Sequence, residues 1–521
     1  MKRKQLYMAA LIAATHLTLT SCDKYLDSLP DNRMELTTTE DYRKLLVNAY
    51  PYAYPAYLLE TCSDNTDKYN NPAWDEAELM QRQAWEWEVI SESGSADSPR
   101  GLWDANYKAI SIANDAIAFC ESQPSGEEVN AILGEALLCR AYAIFTLTNI
   151  FCMAYDNTTA STHMGMPYPT RPQERVSEQV SRGTLEETYK QIAADIDRGV
   201  ALVGNTYEKP KFHFTPTSGH AFAARFYLYY QKYDKAVEHA TAALGDTPTG
   251  KMRDWSAWSA LSANKQIQPN DYISTGNNTN FLTLVTDSEW GVINGPYSYG
   301  ERYAHGLAIA ENETVDAAGP WGTAKSLNYK TFKNTSLANV CVRKIPYAFE
   351  IKDIVAGTGY AHSVIIPFTT EETLLVRAEA QIMLNQYDKA LQDINAILSK
   401  FHKQGKQLTL AEVKTFYAGI SYYKPTAPTV KKRLNTSFGI EPETQEPLLQ
   451  CLLQLRRLLT LHEGLRMQDV KRYGITIYRR VLNAGQDVLE VTDSLKAGDP
   501  RSAIQIPAEV ISAGLPANPR P

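Results

Sequence analysis

The chain has 521 residues, 44% hydrophobic and 21% charged, the balance of a folded globular protein of one large domain or several ordinary ones. A net charge of −7 over this length argues against a nucleic-acid role. The 31 Tyr and 8 Trp outnumber the 14 Phe, and such rings, flat and apolar with a polar handle, suit wet binding surfaces as well as cores.

Lys2, Arg3 and Lys4 precede a mostly apolar run from Leu6 to Leu19. That run is too short to span a bilayer, which takes about 20 apolar residues, and fits the core of a signal peptide over residues 1–21. It ends Leu19-Thr20-Ser21-Cys22, which resembles the lipobox of bacterial lipoprotein precursors. The alternative is an ordinary signal peptide with a chance cysteine. Lipidation of Cys22 with several acyl chains, palmitate among them, anchors a protein firmly where one chain does not. Later segments offer no long uncharged apolar run, so the mature chain is expected to stay outside the bilayer.

The other cysteines are Cys62, Cys120, Cys139, Cys152, Cys341 and Cys451. None forms a C-x-x-C pair, so no zinc site or other metal or cofactor is expected. Cys120, Cys139 and Cys451 fall in helical patterns as small hydrophobes, and spacing selects no disulfide.

In chain order, Thr37-Thr38-Thr39-Glu40-Asp41 offers a helix start before Tyr42, Leu45, Leu46 and Tyr50. Residues 51–84, rich in Pro, Asn and Tyr, read as a long loop. Trp103, Tyr107, Ile110 and Asn114 share a helix face, and helices are expected at 129–153 and 184–203. Helix pairs follow at 219–244 and 371–399. Between them, residues 246–362 show weak periodicity and many Gly, Asn, Ser and Trp, which marks a loop-rich insertion.

Tyr233-Asp234-Lys235-Ala236 recurs 154 positions later as Tyr387-Asp388-Lys389-Ala390. Ala224, Ala236, Ala240 and Ala243 in the first copy, and Ala378 and Ala390 in the second, sit where the tetratricopeptide repeat places small residues. Such residues let antiparallel helices approach closely. The expected fold is mainly α, a tetratricopeptide-like scaffold of helix pairs over about 103–245 and 371–475. Large loop-rich insertions at about 246–362 form its ligand face within a domain spanning 22–521.

Several motifs in order resemble the SusD/RagB family of Bacteroidetes surface lipoproteins. They begin with Cys22-Asp23-Lys24-Tyr25-Leu26-Asp27 and Pro30, then Leu58-Leu59 with Ser63-Asp64-Asn65. Trp103, Tyr107, Ile110 and Asn114 follow, then Gly134-Glu135-Ala136 with Arg140-Ala141, Gly165-Met166-Pro167, and Arg182 with Tyr189, Ile192 and Asp195-Ile196. Near the end stand Glu463-Gly464-Leu465-Arg466, Asp469-Val470-Lys471-Arg472-Tyr473-Gly474, Ile506-Pro507-x-Glu509 and Asn518-Pro519. Leu455 and Leu459 occupy positions where the family carries glutamates, although Arg456 remains, and this implies local repacking. Lys24 and the lack of an acidic cluster after Cys22 depart from an export signal to the outer face. Glu463, Arg466, Asp469 and Arg472, three or four apart, are expected to form a structural charge network along or across helices.

The resemblance implies a nutrient-binding lipoprotein of the outer membrane, exposed at the cell surface. It would capture an oligosaccharide and pass it to a SusC-like TonB-dependent transporter; an oligopeptide ligand, or a tetratricopeptide scaffold without ligand, are the alternatives. No H-E-x-x-H, G-x-S-x-G or G-x-x-x-x-G-K motif supports catalysis, so the chain is not expected to be an enzyme. Asp287 and Glu289 beside Trp290 are the carboxylates to examine for glycosidase geometry. Sugar rings pack on Trp or Tyr while their hydroxyls pair with polar side chains. Loops with that mixture hold Trp74 and Asp75, then Tyr297, Tyr299 and Arg302, then Trp321. Trp85, Trp87 and Trp103 are read as core.

Overall fold

Small residues and apolar spacing build the helices that carry this protein. The structure is a computed structural model that describes residues 36–69, 79–172, 181–262, 266–293, 303–334, 338–346 and 348–521. The chain divides into two units, the first ending at Tyr42 and the second running from Arg43 to Pro521. In the first, the Asp41 carboxylate accepts the Thr38 amide and hydroxyl at the start of a short helix, Thr39–Leu45, that crosses the division. All that follows concerns the second.

The longer helices are α1 (Pro99–Ser122), α2 (Glu127–Phe151), α3 (Leu185–Leu202), α4 (Pro216–Tyr229), α5 (Tyr233–Leu244), α6 (Thr370–Met383), α7 (Tyr387–Phe401), α8 (Leu410–Ala418), α9 (Gln445–Leu459) and α10 (Arg466–Tyr473). Starts carry local signals: Ser98 caps α1 with Pro99 in its first turn, and Thr184 and Glu187 form a reciprocal capping box on α3. Helix α2 is long and apolar enough to cross a membrane by composition. Of that apolar stretch 94% is buried, so it is the core helix against which α1 and α3 pack.

Helices α4 and α5 form one antiparallel pair and α6 and α7 another, with α5 packed on α6 and α6 on α9. Ala224 and Ala236, like Ala378 and Ala390, are fully buried where the helices meet. The turns match as well: Gln231 and Asn385, 154 positions apart, adopt left-handed φ of 60° and 59° two residues before Tyr233 and Tyr387. The mainly α, tetratricopeptide-like fold expected from the sequence is the fold observed.

Two regions differ from expectation. Residues 51–84 are not one loop, for they hold a helix at Ala56–Cys62, strand β1 (Asp67–Tyr69) and a helix at Leu79–Trp85. All seven residues of Ala56–Cys62 are buried, so no apolar–polar period marks the helix in the sequence. The insertion at 246–362 contains strands β2 (Asn280–Thr286), β3 (Tyr303–Ala304), β4 (Phe332–Asn334) and β5 (Asn339–Cys341), and the hairpin of β6 (Ala348–Asp353) and β7 (Thr358–Thr369). Strand β2 is buried on both faces and β6 exposed on both, which erases the two-residue alternation. Strands β8 (Ile477–Leu482) and β9 (Val488–Leu495) complete a sheet ordered β3-β1-β8-β9.

Candidate functional site

Charged motif residues act as struts between distant segments. On α2, Arg140 donates to both Asp195 oxygens at 2.7 Å and to Asn114 Oδ1 at 2.8 Å, while the Tyr168 hydroxyl donates to Asp195 at 2.6 Å. Arg466 makes a two-bond pair with Asp64 at 2.7 and 2.9 Å. Arg456 lies 2.5 Å from Glu379 and 3.0 Å from Asp469, and Arg472 also pairs with Glu379. Arg182 donates to Asn518 Oδ1 at 2.8 Å and to the Pro516 carbonyl at 3.0 Å.

The densest cluster lies against β1 and β8. Glu313 accepts from Lys432 at 2.6 Å, Arg480 at 3.0 Å and Arg457 at 3.2 Å, and Asp67 accepts from Arg480 at 2.5 and 2.9 Å. Burial pushes Asp64 upward, but Arg457 and Arg466 outweigh it and hold that carboxyl well below its usual range. Burial draws the Lys432 ammonium down to about 8. Nearby Arg479, drawn down to about 9 by burial, donates to the Ser63 and Cys62 carbonyls and lies 3.8 Å from the Trp87 ring centre. Each carboxylate has a cation against it, so the cluster acts as a clamp.

That clamp supports one end of the sheet. Strand β1 pairs antiparallel with β3, Asp67 opposite Ala304 and Lys68 opposite Tyr303, and parallel with β8. Tyr69, the last described residue of β1, therefore lies at the same end as Tyr303, the first of β3. Beneath this end, Lys68 Nζ lies 5.7 and 5.6 Å from the ring centres of Trp85 and Tyr303, and the two rings are 5.2 Å apart.

Residues 24–228 match the family model SusD-like_3, described as starch-binding associating with outer membrane. The chain is similar in structure to a SusD superfamily protein from Bacteroides thetaiotaomicron at 19% identity. The TM-score is 0.64, with 93% of this chain and 100% of that one covered. A putative sugar binding protein from Bacteroides vulgatus matches at 17% identity and a TM-score of 0.64, over 93% of this chain and 99% of its own. Over residues 24–228 the chain is thus similar to the SusD-like family, and its fold is that of the SusD superfamily structures. A SusD-like carbohydrate binding protein from Bacteroides vulgatus is similar at 16% identity and a TM-score of 0.58, over 91% of this chain and 96% of that one. No curated protein matches the chain.

The sequence-derived site residues of this SusD-like chain fall into two groups. Cys22, Trp74, Asp75, Tyr297, Tyr299 and Arg302 lie outside the described residues. The described ends of both central loops, Tyr69 and Tyr303, are buried neighbours in the sheet. Trp321 is 3% exposed. It sits in a two-residue turn closed by hydrogen bonds between Gly319 and Gly322, and its indole lies so close that a Cβ on Gly319 would sit 2.3 Å from the ring. The ring offered by the sequence as a ligand platform is covered in this structure.

Asp287 and Glu289 both point outward from the strand end. Asp287 lies 3.0 Å from His362, while Trp290 turns inward, stacked on Tyr57 at 5.3 Å with its indole donating to the His462 carbonyl. Trp85, Trp87 and Trp103 are buried as expected, as are Cys120, Cys139 and Cys451. Among the described residues no group of three His, Cys, Asp or Glu is placed to hold a metal ion.

Two clefts open elsewhere. One of about 370 Å³ at the α4–α5 turn has Tyr227, Tyr230, Tyr233, Asp197 and Lys235 around it. Another of about 270 Å³ lies beside the end of α10, near Tyr155, Asp156, His163, Lys471 and Lys496. Neither draws a residue from the 246–362 insertion, where the sequence reading put the ligand face. In the first Asp197 accepts from Lys235 at 2.9 Å, and in the second Lys471 donates to the Cys152 and Asn149 carbonyls at 2.6 and 2.9 Å, while the buried Nδ1 of His163 has no hydrogen-bond partner.

Proposed function

We propose that the protein is a cell-surface lipoprotein of the outer membrane that captures an oligosaccharide and delivers it to a SusC-like TonB-dependent transporter. The supporting observation is the common origin of two aromatic-polar loops. The stretch with Trp74 and Asp75 follows Tyr69 in the chain and the stretch with Tyr297, Tyr299 and Arg302 precedes Tyr303, and these two tyrosines stand at the same end of paired strands, with the buried charge clamp on Asp67 at the other end of β1. Platforms for sugar faces and partners for hydroxyls then share one rigid base. Trp321 supports its own turn from within. The family description and the sugar-binding relatives point to the same ligand class. The role is binding, with the lipid on Cys22 holding the protein at the membrane.

Calorimetry of the intact protein with glycan and peptide panels tests this reading. Binding to an oligosaccharide is expected, with Trp74→Ala or Tyr299→Ala weakening it at least about tenfold. Binding to peptides alone would overturn the ligand class, and hydrolysis of a glycan would overturn the binding role. Cys22→Ala is expected to release a folded protein from the membrane fraction. Co-purification of a TonB-dependent transporter with the protein from native membranes checks the delivery step.

A further inference from the structure

The β6–β7 hairpin carries an apolar surface that the body of the protein does not cover. Every residue of β6 is exposed. Phe349 and Ile351 alternate onto one face at 43% and 57% exposure, and Ile354 and Val355 form the tip at 87% and 100%. The other face presents Glu350 opposite Tyr360, and Lys352 Nζ lies 4.2 Å from the Tyr360 ring centre. At the tip, Asp353 Oδ1 accepts the amides of Val355 and Ala356 at 2.8 and 3.0 Å, and Gly357 takes the left-handed φ of 64° that closes the turn. The tip thus has no charged side chain beyond Asp353, and two of its amides are already satisfied.

An exposed apolar edge invites association. The shape here selects the partner. A specific protein interface takes about 800 Å² from each side, and a narrow convex turn does not offer that. A lipid surface needs no matching contour. It accepts an apolar tip with an amphipathic Lys and Tyr one rung behind, because those side chains keep their polar ends at the headgroups while their stems lie in the boundary.

The start of the chain points the same way. Tyr52 accepts the Asp287 amide at 2.7 Å, and Asp287 lies 3.0 Å from His362, which faces Ala348 at the root of the hairpin. The chain passes that root only nine residues after the unit begins at Arg43. Between Cys22 and the helix that starts at Thr39 lie 17 steps of chain, which extend to at most about 60 Å. A six-residue arm such as β6 spans about 20 Å. The tether is long enough for its lipid and the hairpin tip to meet one membrane.

We infer that the β6–β7 tip enters the headgroup–acyl boundary of the membrane that holds Cys22, giving the protein a second membrane contact besides its lipid. The inference rests on the lipid-anchor reading of Cys22. The second contact orients the body relative to the membrane, which a single lipid attachment does not do.

The test uses the full lipidated chain in phosphatidylcholine vesicles, with Val355→Cys carrying an environment-sensitive dye; the other described cysteines are buried. Dye emission is expected to shift to the blue and to be quenched by lipid-borne quenchers, whereas a dye on Glu208→Cys, away from the hairpin, stays water-like. Ile354→Asp in the same chain is expected to lower the quenched fraction on the order of tenfold. A water-like, unquenched dye on a chain that remains vesicle-bound overturns the inference and leaves the anchor standing. Shielding that appears in native outer membranes but not in pure lipid also overturns it, in favour of a protein partner. Cys22→Ala reads the anchor separately: retention of that chain on membranes, measured without the dye, overturns the anchor reading.

Discussion

Arg466 reaches Asp64 across 402 positions of sequence, with both side chains buried. Removing the guanidinium leaves a buried carboxylate beside only Lys432 and Arg457, each 3.5 Å away. Arg466→Ala is expected to lower stability by about 3–5 kcal/mol, read from urea unfolding. Glu60 poses the opposite case. Burial raises its carboxyl from 4.5 to about 7, although Asn65 and the Gly464 amide donate to it at 2.8 and 2.9 Å. Between those values the fold keeps a proton that the unfolded chain has released. Its contribution to stability is therefore full below 4.5 and lost as pH rises through about 7. Glu60→Gln is expected to remove about 3 kcal/mol of that pH dependence, compared by unfolding midpoints on either side of the window. At this scale the sequence showed which charges matter, since Glu463, Arg466, Asp469 and Arg472 stand three or four apart. It did not show their partners. Arg466 goes to Asp64 and Arg472 to Glu379, pairings that leave no local spacing to read.

The helix pairs rest on contacts between small residues. Ala236 is fully buried where α5 meets α4, and Ala390 holds the matching place in α7. Ala236→Leu is expected to cost about 1–3 kcal/mol by overpacking, whereas the same change at the exposed Ala242 costs little, both read by thermal unfolding. Helices α5 and α7 were legible because each buries one stripe and leaves the other in water, whereas α4 and α6, buried almost all round, were marked by their small residues. The short helix at Ala56–Cys62 and strand β2 were not, because both are buried on every side. The β6–β7 hairpin escaped for the converse reason, its first strand being exposed throughout. For the candidate site, the sequence singled out two loops by their mix of rings and polar groups. That they attach to neighbouring strands followed only from the pairing of β1 with β3.

At the largest scale, the C-terminal tail of the second unit closes on its first half. Asn518 donates to the Phe151 and Ile504 carbonyls at 2.9 and 2.7 Å and accepts from Arg182. Asn518→Ala is expected to cost about 1–3 kcal/mol by leaving those buried groups unpaired, measured by urea unfolding. Nothing read from the residues signalled this closure beyond the isolated motif Asn518-Pro519. The same long spans set the order of events during synthesis. With Asp64 waiting for Arg466, and Arg182 for Asn518, the fold cannot complete before its last residues leave the ribosome. A chain that has not closed by then remains threadable, which is the state that the proposed export to the cell surface would require of it.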